Sequence, residues 1–248
     1  MTSNHFFVPK AQVEGGRAVV RGRESRHLGR VLRGRPGDEV WLFDEDGVRY
    51  RARVRSASPE EVVFALFERL DPAPTGTRVT LAQAVLKAKA MDGIVQKAAE
   101  FGVAAFVPVV SRRSVARLDP RDIEKSGRWA RIALEAAKQA RTGRPPAIAP
   151  VCPLEDFLDG CDARAKIVLS EHGGERLRTV LETLVSRNEG RPPESVALLV
   201  GPEGGWSAEE EASWTGAGFL PALLGRTVLR AETAALAVLA IVSHDWTW

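Results

Sequence analysis

The strongest constraint on the fold is a change of hydrophobic period across one break, Asp71-Pro72-Ala73-Pro74-Thr75-Gly76. Prolines and a glycine between two patterned segments read as a linker. Before the break, apolar and polar residues alternate in short runs at 18–20, 39–43, 48–54 and 61–67. The polar stretch Asp44 to Gly47 lies between two of these runs, which is a hairpin signal. After the break, strand-length apolar runs at 79–81, 104–110, 165–169, 196–200 and 219–223 alternate with helical patterns at 92–101, 123–140, 175–186, 207 onward and 232–243. Trp129, Ile132, Ala133 and Ala136 fall on one face of the second helix. Ser207 with Glu210 three residues on forms a capping box. Strands alternating with helices imply a mostly parallel sheet covered on both faces. Residues 1–72 therefore read as a small β-barrel and 73–248 as an α/β domain.

Charge narrows the partners. Seven arginines and one acid lie between Arg17 and Arg35, and ten basic residues against four acids lie between Arg112 and Arg144. Such clustering is the electrostatic footprint of a phosphate-bearing partner. Only seven of the 35 basic residues are lysine. Arginine binds phosphate through a planar fork and stacks on bases, although codon bias accounts for such a ratio equally well. Cys152 and Cys161 stand apart, no Cys/His cluster has metal-ligand spacing, and so no metal is expected. Two isolated cysteines and an N-terminus without an apolar core fit a cytoplasmic protein. The longest apolar run, 234–242, is too short for a membrane span and reads as a buried helix.

Several chemistries are excluded by absence. The chain has no G-x-G-x-x-G after a strand, no P-loop and no G-x-S-x-G elbow. What it has lies at the C-terminal ends of late strands, where open α/β sheets bind ligands. Leu198-Leu199-Val200 runs straight into Gly201-Pro202-Glu203-Gly204-Gly205. Glycines let backbone approach a ligand, and the following helix offers free N–H groups. Leu224-Gly225-Arg226-Thr227-Val228-Leu229-Arg230-Ala231-Glu232-Thr233-Ala234 gathers an arginine, an acid and a hydroxyl at a strand-to-helix junction. By itself this second motif equally fits a helix start with Glu232 facing the macrodipole.

Together the two motifs resemble the SPOUT methyltransferases, and within them the RsmE family. The family pattern GPEGG-[FW]-S-x-x-E matches Gly201 to Glu210, and LG-x-x-[IV]-LR-x-ETA matches Leu224 to Ala234. His27-Leu28, Val31-Leu32-Arg33 and Gly37-Asp38 match its N-terminal domain. Lys97, Glu100, Gly102 and Pro108 follow, and then Glu135 to Gln139 on the long helix. The resemblance implies a PUA-like RNA-binding barrel, an α/β trefoil-knot domain and a homodimer. It implies S-adenosylmethionine as cofactor, and N3 of a uridine in 16S ribosomal RNA as methyl acceptor.

The cofactor would be held by the loop at Ser170 and Glu171, by Val200 to Gly205 (Gly201, Pro202, Glu203 and Gly204 between them), and by Leu224, Gly225, Val228, Leu229, Arg230, Thr233 and Ala234. RNA would meet Arg23, Arg26, His27, Arg30 and Arg33 in the first domain, and Arg112, Arg113, Arg141 and Arg144 around the long helix. Relatives carry Gln-Ser and a further arginine where this chain has Ala140 and Thr142, with Arg141 and Arg144 as compensation. Uracil N3 carries its proton at neutral pH, so methylation needs removal of that proton by a base, or stabilisation of the developing anionic ring. Arg230 and Glu232 are assigned these roles, with Glu203 in reserve; the competing reading makes Arg230 and Glu232 a structural ion pair. Two further readings stay open: a ribose 2′-O-methyltransferase of the same superfamily, and a non-catalytic ribosome-assembly factor. The first expects an asparagine near Met91 to Lys97 that is absent, and the second expects no cofactor binding.

Overall fold

The computed structural model describes residues 5–22, 25–26, 36–72, 76–114, 122–140 and 142–247. These form two compact units. One comprises Met1–Pro74 with Ala137–Pro145, and the other Thr75–Ala136 with Pro146–Trp248.

The first unit is a six-stranded sheet: β1 (His5–Phe7), β2 (Val13–Glu14), β3 (Arg17–Arg21), β4 (Glu39–Phe43), β5 (Arg49–Ala57) and β6 (Glu61–Leu70), in the order β1-β4-β5-β6-β3-β2. Only the β1–β4 pair is parallel. Period-2 patterning explains the core: Val40, Leu42, Tyr50, Ala52, Val54, Val62 and Phe64 pack on one face with Phe6 and Val20. Two register shifts between β5 and β6 bend the sheet round that core. The Asp44–Gly47 turn is real. The buried Asp44 carboxylate accepts the N–H groups of Asp46 and Val48, each at 3.0 Å, and the Tyr50 hydroxyl at 2.8 Å.

The second unit is a parallel sheet. Its strands are β7 (Arg78–Ala84), β8 (Ala105–Val110), β9 (Ala147–Ile148), β10 (Cys152–Pro153), β11 (Ala165–Leu169), β12 (Glu175–Arg176), β13 (Ser195–Val200) and β14 (Leu220–Leu223). They run in the order β10-β8-β7-β13-β11-β14-β12, with β9 beside β8. The helices are α1 (Ala88–Glu100), α2 (Asp122–Ala140), α3 (Leu154–Gly160), α4 (Leu177–Arg187), α5 (Ala208–Gly216) and α6 (Ala231–Trp246).

Strand β13 shows why its sequence is continuously apolar. Val196, Leu198 and Val200 enter one core with residues of α1, α2, α4 and α6. Ala197 and Leu199 enter the opposite core with α3, Trp206 and Trp214. A strand covered on both faces cannot alternate with polar residues. Helix α6 departs from expectation: Ala235, Val238, Leu239 and Val242 are buried, yet Ile241 is 38% exposed, so the apolar run is not buried all round. No helix among the described residues is long and apolar enough to cross a membrane.

Candidate functional site

Chain order and spatial order differ in the second unit, and that difference builds the site. From β7 the chain moves outward through β8 to β10. It then crosses to lay β11 and inserts β13 between β7 and β11, before placing β14 on the far side of β11. The C-terminal ends of β13, β11 and β14 thereby become neighbours, although they lie far apart in sequence, at Val200, Leu169 and Leu223. Their loops close around a cleft of about 380 Å³, a volume in the range of small-molecule sites.

The β13 loop is fixed by the protein itself. A β-carbon on Gly201 would stand 3.0 Å from the Trp206 indole. That indole is buried and donates Nε1–H to the Leu169 carbonyl at 3.1 Å, tying the loop to the end of β11. Gly204 lies under Arg113, which donates to the Gly204 carbonyl at 2.8 Å. Gly205 has φ +68° and closes a turn onto the Pro202 carbonyl at 3.0 Å. Glycine density, read from sequence as room for a ligand, thus also has three separate internal causes.

The capping box at α5 is formed in full. Ser207 Oγ accepts the Glu210 N–H at 3.3 Å, and Glu210 Oε2 accepts the Ser207 N–H at 2.8 Å. Glu210 is 1% exposed, and its Oε1 accepts the Arg112 N–H at 2.7 Å, clamping the loop after β8. The neighbouring Glu209 carboxyl is held below its usual range by its own N–H, then by the Ser207 hydroxyl and by Arg112. Two N–H groups that the sequence reading offered to a ligand are therefore used internally. Of the two helices that begin beside the cleft, α5 is capped and α6 has no side-chain cap; the N-cap of α6 is Arg230 and its first residue, Ala231, lines the cleft.

The β11 loop supplies Ser170, Glu171 and His172; the Ser170 hydroxyl donates to the His172 carbonyl at 2.6 Å. The β14 loop contributes Leu224 through Arg230, with Val228 67% exposed.

Fourteen of the fifteen residues expected to hold a cofactor line this cleft, Thr233 being outside its lining. Of the expected catalytic residues, Arg230 and the reserve Glu203 line it, and Glu232 does not. Arg230 is exposed, Glu232 is half-buried, and no ion pair joins them. Arg113, read from sequence as an RNA contact, is a wall of the cleft, whereas Arg112 ion-pairs with Glu209 at 3.4 Å. Arg26 and Arg144 are exposed in the first unit, Arg144 beside the turn at Gly47. Arg23, His27, Arg30, Arg33 and Arg141 lie outside the described residues. Sequence reasoning missed His172, Trp206, Glu211 and Arg226 in the lining. Trp206 had a signal: it occupies the aromatic position directly after the glycine loop.

Comparison with known proteins agrees with this geometry. Residues 73–243 match an RNA methyltransferase domain family, and residues 20–67 an RNA methyltransferase PUA domain. The ribosomal RNA small subunit methyltransferase E of Mycobacterium tuberculosis is 31% identical over 98% of this chain and 92% of that protein. The enzyme of the same name from Aquifex aeolicus is 30% identical over 97% of this chain and 99% of its own. A crystal structure of the Neisseria gonorrhoeae ribosomal RNA small subunit methyltransferase E bound to S-adenosyl methionine superposes with a TM-score of 0.85. Its identity is 28%, and the match covers 98% of each chain. With its PUA-like sheet followed by a parallel α/β sheet, the chain belongs to the RNA methyltransferase family whose members include the ribosomal RNA small subunit methyltransferases E.

Proposed function

We propose that this chain methylates N3 of a uridine in 16S ribosomal RNA, using S-adenosylmethionine. The observation that carries this reading is the three-loop cleft of about 380 Å³, in a chain whose relatives are named ribosomal RNA small subunit methyltransferases E. The residues fit such a cofactor. The glycine-rich loop from Gly201 to Gly205 forms one wall, apolar Leu224, Val228 and Leu229 another, and Glu171, Glu203 and Glu211 bring carboxylates to a ligand with a cationic centre. When bound, S-adenosylmethionine supplies a methyl group on a sulfonium.

The chain's own residues then have two tasks. Arg230 reaches the cleft with no ion-pair partner among the described residues, placed to hold a uracil carbonyl oxygen as the ring becomes anionic. A base must lie within hydrogen-bond reach of the N3 proton. Glu203 lines the cleft and Glu232 does not, so we assign the base to Glu203 ahead of Glu232. Holding two reactants in one cleft supplies much of the remaining acceleration.

We read residues 1–72 as the RNA-binding domain and 73–248 as the methyl-transferring domain, with the trefoil-knot arrangement of the SPOUT superfamily. We assign the protein to the cytoplasm, where its substrate is made, and to a homodimer. Half-exposed Ile241 on α6 is the kind of apolar residue a subunit contact covers. The decisive test is mass spectrometry of ribosomal RNA from a deletion strain. Loss of one N3-methyluridine, restored by the gene, is expected; an unchanged nucleoside inventory refutes the assignment.

A further inference from the structure

The outer face of the first unit's sheet carries a side-chain arrangement that the cleft does not account for. The guanidinium carbons of Arg49 and Arg51 lie 5.7 and 5.8 Å from the ring centre of Trp41. Those of Arg51 and Arg53 lie 5.2 and 5.7 Å from the ring centre of Phe67. The result is a ladder across three strands: Arg49, Trp41, Arg51, Phe67, Arg53. Its origin is strand alternation, since the intervening residues Val40, Leu42, Tyr50, Ala52 and Val54 turn into the core. Trp41 on β4 sits directly opposite Arg51 on β5.

Two features set this face apart from an ordinary solvated sheet. Phe67 is 49% exposed, and among the described residues only three other large hydrophobic side chains are exposed, Phe101, Val228 and Ile241. Arginines also lie over both rings, and the His5 ring stacks on Trp41 with centres 6.3 Å apart. Glu39 accepts from Arg53 at 2.7 Å and from Arg51 at 3.1 Å, and Glu68 accepts from Arg51 at 3.3 Å. All of these groups are in water, where such pairs contribute little. They orient the guanidinium groups, and a phosphate competes for the same forks. Arg49 has no carboxylate partner among these pairs, and its side chain runs past Gly143, so the strip continues toward Arg144 of the same unit.

The geometry points to a stacking surface for single-stranded RNA on this face. Trp41 and Phe67 are the platforms for bases, and Arg49, Arg51 and Arg53 the contacts for phosphate. Unpaired bases present their faces to aromatic rings and guanidinium planes, and the backbone follows the cations. A duplex hides those faces. The choice of RNA rests on the function proposed above; the ladder does not.

The test uses the full-length protein and a labelled, unstructured RNA oligonucleotide, with binding followed by fluorescence anisotropy at several salt concentrations. Phe67→Ala is expected to weaken binding roughly 5- to 150-fold, the cost of one lost stacked base, and Phe67→Trp to restore it. Arg49→Ala is expected to reduce the log–log salt slope by about 0.7, one phosphate contact on a single strand. Melting curves and S-adenosylmethionine affinity are expected to stay at wild-type values in all three. Wild-type affinity and slope in both alanine variants, with methylation intact, overturn the surface and leave the proposed function standing. A wild-type protein that binds no RNA overturns both. Variants that keep oligonucleotide binding but lose the small ribosomal subunit assign the face to a protein partner and overturn the RNA assignment.

Discussion

Replacing Gly201 by alanine tests whether the cleft wall is set by packing. An added methyl group would stand 3.0, 3.1 and 3.2 Å from Cε2, Nε1 and Cζ2 of Trp206. The indole cannot yield freely. It is 8% exposed, packs in the core shared with Leu199 and Phe219, and is pinned to the Leu169 carbonyl at 3.1 Å. Overpacking of this kind costs about 1–3 kcal/mol. Straining the indole hydrogen bond adds up to about 1 kcal/mol. For a chain of this size, the sum lowers the melting temperature by roughly 2–16 °C. Gly201, Trp206 and Leu169 are all cleft residues, so the same displacement moves the wall and reduces cofactor affinity. Two neighbouring glycines serve as internal controls. Gly205→Ala meets no atom within 4 Å but sits at φ +68°, which costs about 1–2 kcal/mol of backbone strain. Gly225→Ala meets nothing within 4 Å and has no positive φ, so its stability is expected to be unchanged. Thermal melts beside calorimetric titration with S-adenosylmethionine measure both quantities. A Gly201→Ala protein that melts with the wild type, or costs that rank Gly225 above Gly201, refutes the packing argument.

Four further outcomes are expected. Glu210→Ala leaves the buried N–H of Ser207 and the partly buried N–H of Arg112 without their acceptor, a loss of about 2–4 kcal/mol, whereas Glu209→Ala, on an exposed side chain, leaves denaturant melts unchanged; equal effects contradict the assignment. Tyr50 is the sole tyrosine, and burial followed by its hydrogen bond to the Asp44 carboxylate pushes its phenol up to about 12. Because the folded value lies above the ordinary 10.0, Tyr50's contribution to stability is complete below that pH and is lost as pH rises toward about 12. Tyrosinate absorbance against pH reads this directly, and a midpoint near 10.0 in the folded protein rules it out. Arg230→Ala is expected to lower single-turnover rates on the order of 10²–10³-fold with little change in melting, since Arg230 is exposed and has no ion pair among the described residues. Glu203→Gln slows transfer in a way that higher pH partly rescues, and Glu232→Gln does not; the reverse result moves the base to Glu232.

Local signals carried furthest from sequence to structure. Strand β11 runs over Ala165–Leu169 as the apolar pattern requires, and β13 begins one residue early at Ser195. The Ser207–Glu210 box is a contact between residues three apart, so local spacing suffices to specify it. What stayed hidden was short or weakly patterned. Helix α3 spans only Leu154–Gly160 and starts without a side-chain cap, and β9, β10 and β12 are two residues each. Such elements exist because neighbouring strands supply their partners, which propensity does not encode.

The site itself divides along the same line. Each loop was visible as a glycine-rich or acid-bearing strand end, but the adjacency of the loops was not, because it depends on β13 entering between β7 and β11. The bond from the Trp206 indole to the Leu169 carbonyl spans 37 residues, and that from Arg112 to Glu210 spans 98. Contacts of that range follow from strand order, and strand order is a property of the whole sheet. This is also why Arg113 reads from sequence as one more member of a basic stretch. Its cleft position arises because β8 runs parallel beside β7, and β7 beside β13, which carries the β8 loop over the glycine turn. The roles of Arg230, Glu203 and Glu232 diverge for the same reason. All three stand in family motifs, yet only Arg230 and Glu203 line the space where the three loops converge.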